Sequence, residues 1–318
     1  MQIFQRFSMI FLIFSLFGCF QKKKQPENLT DWLEINFPDQ LVVVNNIVNL
    51  DLKNLYYKKK ETIVADKNDP EVQIKITWHK SETGLDLNKE EIQTAWDKSK
   101  KEVAAARTIF SALREKGLDR FSVGVIDMAA YILIFEEPTP AVRKKYLEQI
   151  LATLDTRKET TQTSIWIECM EDSAYAEEFK DIIPYGYWQR PDRYHTDRKI
   201  MSLDFEWSPG LKADVLMTGW TISTMSERSF VFMHEAYSIA SVWATKNLPS
   251  PFYLEPVQMV RIGPDEDDPL AIEYDFPYYA SKPDTTEVES QPEPLGYISG
   301  SYQTDQKVFT KIKKVKEL

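Results

Sequence analysis

Two periodicities alternate along this chain, and their order limits the fold more than any other feature. Val72, Ile74, Ile76 and Trp78 alternate with Gln73, Lys75 and Thr77, the period of a strand with one wet face. Asn88 then stands before Glu90 and Glu91, and Ile92, Trp96, Val103, Ile109, Phe110 and Leu113 follow at helical spacing up to Gly117. A capping side chain, acids in the first turn and a glycine past the last turn mark a helix that runs to Lys116. Before it, residues 41–52 are β-branched and read as a buried strand, and residues 61–65 pair with 72–79 across the turn-rich 66–70. After it, residues 121–126 and 129–135 read as a second hairpin, and 140–154 as a shorter helix with Pro140 in its first turn.

The order then recurs. Residues 163–169 read as a strand, 200–207 and 213–223 as a hairpin around Ser208-Pro209-Gly210, and Ser226 caps a helix to Asn247. Residues 256–262 and 270–274 make a further hairpin around an acidic turn. The expectation is an α+β fold: antiparallel sheet with one long helix per half, the halves at 31–158 and 159–280 each reading strand, hairpin, helix, hairpin. Residues 281–318 mix prolines, glycines and polar side chains and end rich in lysine; they read as a mobile tail with room for a short helix.

Ahead of these elements lies an apolar run at residues 7–17, preceded by Arg6 and followed by Gly18 and Cys19. A permanent span of a hydrocarbon core about 30 Å thick needs about 20 apolar residues. The run is shorter and has the length of a signal-peptide apolar region, with a small residue at the cut. Leu16-Phe17-Gly18-Cys19 resembles the lipobox of bacterial lipoproteins. That resemblance implies that residues 1–18 are a leader and that Cys19 takes a diacylglycerol thioether, becomes the new N-terminus and carries two or three acyl chains such as palmitate. The alternative is an uncleaved anchor with its body in the cytoplasm, to which Lys22, Lys23 and Lys24 point, since positive charge stays on that side. Each buried methylene contributes about 0.8 kcal/mol, so several chains hold durably where one does not. Residues 19–30 then read as a tether. Phe20, where an aspartate would retain an enteric lipoprotein in the inner membrane, implies the outer membrane, facing periplasm or surface.

The chain carries 39 Lys and Arg against 49 Asp and Glu, a formal charge of −10; without the leader, whose one charged side chain is Arg6, it is −11. Acidic balance argues against nucleic acid as a partner, because phosphates select basic faces. The expected partners are the membrane, through the lipid, and a protein. Of two cysteines, Cys19 is assigned to lipid, so Cys169 stands alone and reads as a small buried hydrophobe.

Catalytic motifs are missing from the sequence. Among ten glycines, Gly296 and Gly300 are the one pair closer than seven residues, so neither a phosphate loop nor a dinucleotide fingerprint can be written. There is no Gly-x-Ser-x-Gly elbow. The histidines are His79, His195 and His234; four residues after His234 stands Ser238, not a second zinc ligand. Asp265-Glu266-Asp267-Asp268 lacks the alternate spacing, glycine and distal glutamate of a calcium loop and reads as a solvated acidic turn. No cofactor and no metal is therefore expected. One stretch has the composition of a binding surface: Tyr187, Trp188, Arg190, Arg193, Tyr194 and His195 combine large aromatics with arginine in an irregular segment. The function expected is that of a non-enzymatic, lipid-anchored binding or interaction lipoprotein of the cell envelope. Two alternatives stand beside it: a toxin-neutralising immunity lipoprotein, whose acidity would suit a basic toxin, and an envelope hydrolase with a triad assembled from distant residues.

Overall fold

The computed structural model describes residues 26, 28–47, 60–81, 84–156, 163–171, 181–185, 198–256, 260–283 and 292–316. The chain divides into two compact units, one of Met1–Pro70 with Lys75–Gln93 and one of Glu71–Ile74 with Thr94–Leu318.

In the first unit, α1 (Leu29–Asn36) opens where Asn28 Oδ1 accepts the Asp31 N–H at 2.9 Å. Leu29, Trp32 and Leu33 are buried on one side. Residues 29 and 30 thus belong to a helix rather than to the expected tether; an eight-residue helix shows too few turns for its period to stand out. A three-stranded sheet of order β1-β2-β3 follows: β1 (Leu41–Ile47), β2 (Lys60–Asp66) and β3 (Gln73–Trp78). Ile63, Val64 and Ala65 are buried in succession, so β2 is covered on both faces. The Trp78 indole N–H donates to Thr62 Oγ1 at 3.0 Å. Short β4 (Lys80–Ser81) and β5 (Gly84–Leu85) pair next to His79, whose Nδ1 lies 3.3 Å from Asp86 Oδ2.

Helix α2 (Lys89–Glu115) starts where Asn88 Oδ1 accepts the Glu90 N–H at 2.9 Å and ends at Gly117, φ +83°. The second unit holds most of it, followed by β6 (Phe121–Ile126), β7 (Ala129–Ile134), α3 (Pro140–Asp155), β8 (Ser164–Met170) and β9 (Lys199–Glu206). With β10 (Thr221–Ile222) these strands form a five-stranded sheet of order β10-β9-β8-β7-β6. Its pairs are antiparallel except β7–β8, which run parallel because α3 carries the chain back across the sheet. The boundary expected at 158 therefore falls inside this sheet, which draws strands from both sides of it. Residues 213–219, expected as strand, fold as a short helix α4 (Ala213–Leu216) and a 3-10 turn (Met217–Gly219); only Thr221–Ile222 join β9. Their apolar side chains are spread without alternation, so nothing in them favours one sheet face over the other.

Helix α5 (Glu227–Asn247), capped by the Ser226 hydroxyl, covers the second sheet of this unit. That sheet is β11 (Tyr253–Leu254), β13 (Ala271–Tyr279), β14 (Gly296–Gln303) and β15 (Val308–Val315), with β12 (Arg261–Pro264) also paired to β13. Ala236, Ala240 and Ala244 lie fully buried one turn apart and let α5 approach closely. Tyr274 donates to the Ser229 carbonyl at 2.6 Å, and Tyr302 donates to Glu235 Oε2. Residues 296–315 are thus not a mobile tail. Ile298 and Tyr302 are fully buried, while Ser299 and Ser301 alternate with them on the other face of β14. Pro and Gly content suggested a tail; the underlying alternation decides for strand. The α+β class stands, with one apolar core joining α2, α3, the five-stranded sheet, α5 and β13–β15.

Candidate functional site: a charged pocket on the C-terminal sheet

Successive residues of a strand point to opposite faces. On β13, Ile272, Tyr274 and Phe276 face α5, which leaves Glu273 and Asp275 on the far side. Pairing brings Ser299 opposite Asp275 and Ser301 opposite Glu273. The ladder between β14 and β15 shifts between Ser299 and Ser301, and Lys311 at that bulge has φ +53°. A bulge redirects the side chains around it. Here Lys311 Nζ donates to Asp265 Oδ2 and to Asp267 Oδ2, each at 3.2 Å. Both carboxylates lie in the turn between β12 and β13, where Asp265 Oδ1 also accepts the Asp267 N–H at 2.8 Å. Ser299 Oγ donates to Glu273 Oε1 at 3.2 Å. Together these groups line a pocket of about 220 Å³ with Glu266 and Lys313.

Four carboxylates meet two ammonium groups in this pocket. Burial works against the charge of Asp265, but hydrogen bonds from the Ser301 side chain, the Asp267 N–H and Lys311 outweigh it and hold the carboxyl below its usual range. The same two aspartates push the Lys311 ammonium up. Asp275, beside the pocket, moves the other way: burial and the charge of Glu273 push it up, against Ser299, Arg261 and Lys313. Its Oδ1 is buried with no hydrogen-bond partner among the described residues. Surplus negative charge and hydroxyls suit a small polar ligand bearing a cation; among the described residues no histidine or thiol lines the pocket. Lys311 Nζ bridges the Asp265 and Asp267 carboxylates, and no metal-holding group of His, Cys, Asp and Glu forms among the described residues.

No family model, curated protein or solved structure matches this chain.

Tyr187, Trp188, Arg190, Arg193, Tyr194 and His195 lie outside the described residues, as does Cys19. His234 sits on the exposed side of α5, and Ser238 Oγ donates to its carbonyl at 3.0 Å. Cys169 is fully buried in β8, where loss of solvent pushes its thiol far up. Of the pocket, sequence reading singled out only the acidic turn. Glu273, Ser299, Ser301 and Lys311 depend on which strands pair and where the ladder slips, and the last three fall in residues first read as tail. The alternation Ile298, Gly300, Tyr302 against Ser299, Ser301 was the signal for them.

Proposed function

We propose that this chain is a non-enzymatic, lipid-anchored lipoprotein of the cell envelope whose folded body binds a partner. The observation that carries the reading is the order of side chains at residues 6–19: Arg6, an apolar run too short to span, then Leu16-Phe17-Gly18-Cys19. No helix among the described residues is long and apolar enough to cross a membrane. Acyl chains on Cys19 would hold the body at the surface, and the charged pocket supports a binding role. Metabolic labelling with an alkyne analogue of palmitate tests the anchor. The wild-type chain takes the label and Cys19→Ala does not; equal labelling of the two would end the reading.

A further inference from the structure

The five-stranded sheet has a second face, opposite the one packed on α3. Burial alternates along β8: Ile165, Ile167 and Cys169 are buried, while Trp166 is 41 % exposed between them. Register aligns one row across four strands on this face. Gly124 of β6 stands opposite Tyr131 of β7, Tyr131 opposite Trp166 of β8, and Trp166 opposite Asp204 of β9. Tyr131 and Trp166 lie with ring centroids 6.0 Å apart and planes inclined by 21°. The indole N–H donates to Ser164 Oγ at 3.2 Å, which fixes the orientation of the ring. Gly124, at the β6 end of the row, is itself buried, so the exposed part of this face centres on Trp166.

The surroundings of this aromatic pair are acidic. Glu168, Asp204 and Glu206 point to the same face, in register with Ser202, Trp166 and Ser164. Lys199 approaches Glu168 at 3.5 Å, which leaves Asp204 and Glu206 without an ion pair among the described residues. Burial, then the charges of Asp127 and Glu168, push the Tyr131 phenol above its usual range, consistent with a negative local field. Aromatic faces are themselves electron-rich and attract cations, tryptophan most strongly.

We propose that the Tyr131–Trp166 pair, flanked by Asp204, Glu206 and Glu168, is a docking surface for an arginine-bearing basic segment of a protein partner. Charge complementarity selects the occupant. A guanidinium stacks on the indole while its edge N–H groups reach the carboxylates, a geometry that a compact lysine ammonium does not offer. A neutral saccharide would leave the acidic charge unmatched. A second copy of the chain would bring the same acidic face against itself, and like charges oppose that contact. The proposal rests on the reading of the chain as a binding module and names the class of partner. Acylation of Cys19 and binding at Trp166 are read in separate experiments, so failure of one does not decide the other.

The test uses the detergent-solubilised full chain and a fluorescein-labelled peptide of alternating arginine and glycine, followed by anisotropy. The wild type binds the peptide. Trp166→Ala, which leaves the net charge untouched, and Asp204→Asn each weaken binding by roughly fivefold or more. Glu148→Gln, on the solvent side of α3 across the sheet, changes it by less than about twofold, as a screened distant charge should. Melting temperatures stay within about 2 °C, since exposed positions contribute little to stability. Several results would overturn the proposal: no binding by the wild type, Trp166→Ala binding as tightly as the wild type, or Glu148→Gln costing as much as Asp204→Asn. Displacement of the peptide by a neutral oligosaccharide would do so too, as would a wild-type dimer that Trp166→Ala splits.

Discussion

Arg143 and Asp305 are 162 residues apart in sequence and form an ion pair, with Arg143 Nη2 donating to Asp305 Oδ2 at 2.6 Å. Arg143 lies on α3, the crossover of the five-stranded sheet; Asp305 lies in the turn between β14 and β15. The guanidinium is almost wholly buried, also donates to Met201 Sδ at 3.5 Å, and sits 5.9 Å from the centre of the Trp220 ring. One buried charge therefore ties the two sheets of the second unit together.

Breaking this pair from the Asp305 side strands a buried cation, a change that costs about 3–5 kcal/mol at fully buried sites. Asp305 keeps 29 % side-chain exposure, so water offsets part of that. Asp305→Ala is expected to lower unfolding stability by about 2–3 kcal/mol in urea titration. Arg143→Met combined with Asp305→Leu loses less, because no unpaired charge remains. A loss under about 0.5 kcal/mol for Asp305→Ala would show that the pair does not hold the sheets.

Gly300 tests the register of the C-terminal sheet. A methyl group there would meet Phe309 ring carbons at 2.5–2.9 Å. Because the whole ring lies over the glycine, the ring must move. Gly300→Ala is expected to cost about 1–3 kcal/mol, as overpacking does. Adding Phe309→Leu should recover part of it, and thermal unfolding of the two variants measures both effects. A neutral Gly300→Ala would mean that β14 and β15 do not pair as described.

The strands and helices with strong local signals were legible in the sequence. Asn88 and Gly117 mark the ends of α2 because capping and left-handed backbone are local chemistry, and the turn at Asp127-Met128 closes the β6–β7 hairpin where the pattern breaks. What decides the pocket is not local. Lys311 reaches Asp265 only because β14 pairs with both β13 and β15 and its ladder slips at Ser299. The parallel pairing of β7 with β8 is equally silent, since either edge of a sheet can accept a strand of the same pattern. Residues 213–219 were expected as strand as part of a hairpin around Ser208-Pro209-Gly210, yet they carry no alternation and only two β-branched side chains, Val215 and Thr218, so the local pattern gave a strand no support.

Asp275 gives a pH signature of known sign. Its folded carboxyl is pushed above the usual aspartate value by burial. Ionising it therefore costs more in the folded than in the unfolded chain, so it subtracts stability once pH rises through that range, and the penalty vanishes below about pH 3. Asp275→Asn is expected to raise the melting temperature at pH 7 and to leave it unchanged near pH 3. A variant less stable at pH 7 would show that the ionised carboxylate contributes favourably instead.

Cys169 should behave as an inert core thiol. It is fully buried, and loss of solvent disfavours its thiolate. In native protein at pH 8, reaction with a disulfide reagent should be at least about a hundredfold slower than in denaturant, in line with the small population of open states. Equal rates would contradict the packing of β8.

The anchor is the centre of the account, and the intact mass of the protein extracted from membranes tests it most directly. The prediction is a chain that starts at Cys19, with residues 1–18 removed and the added mass of a diacylglycerol and one further acyl chain, or of the diacylglycerol alone. A mass that retains residues 1–18, or one that starts at Cys19 without any acyl group, would contradict it.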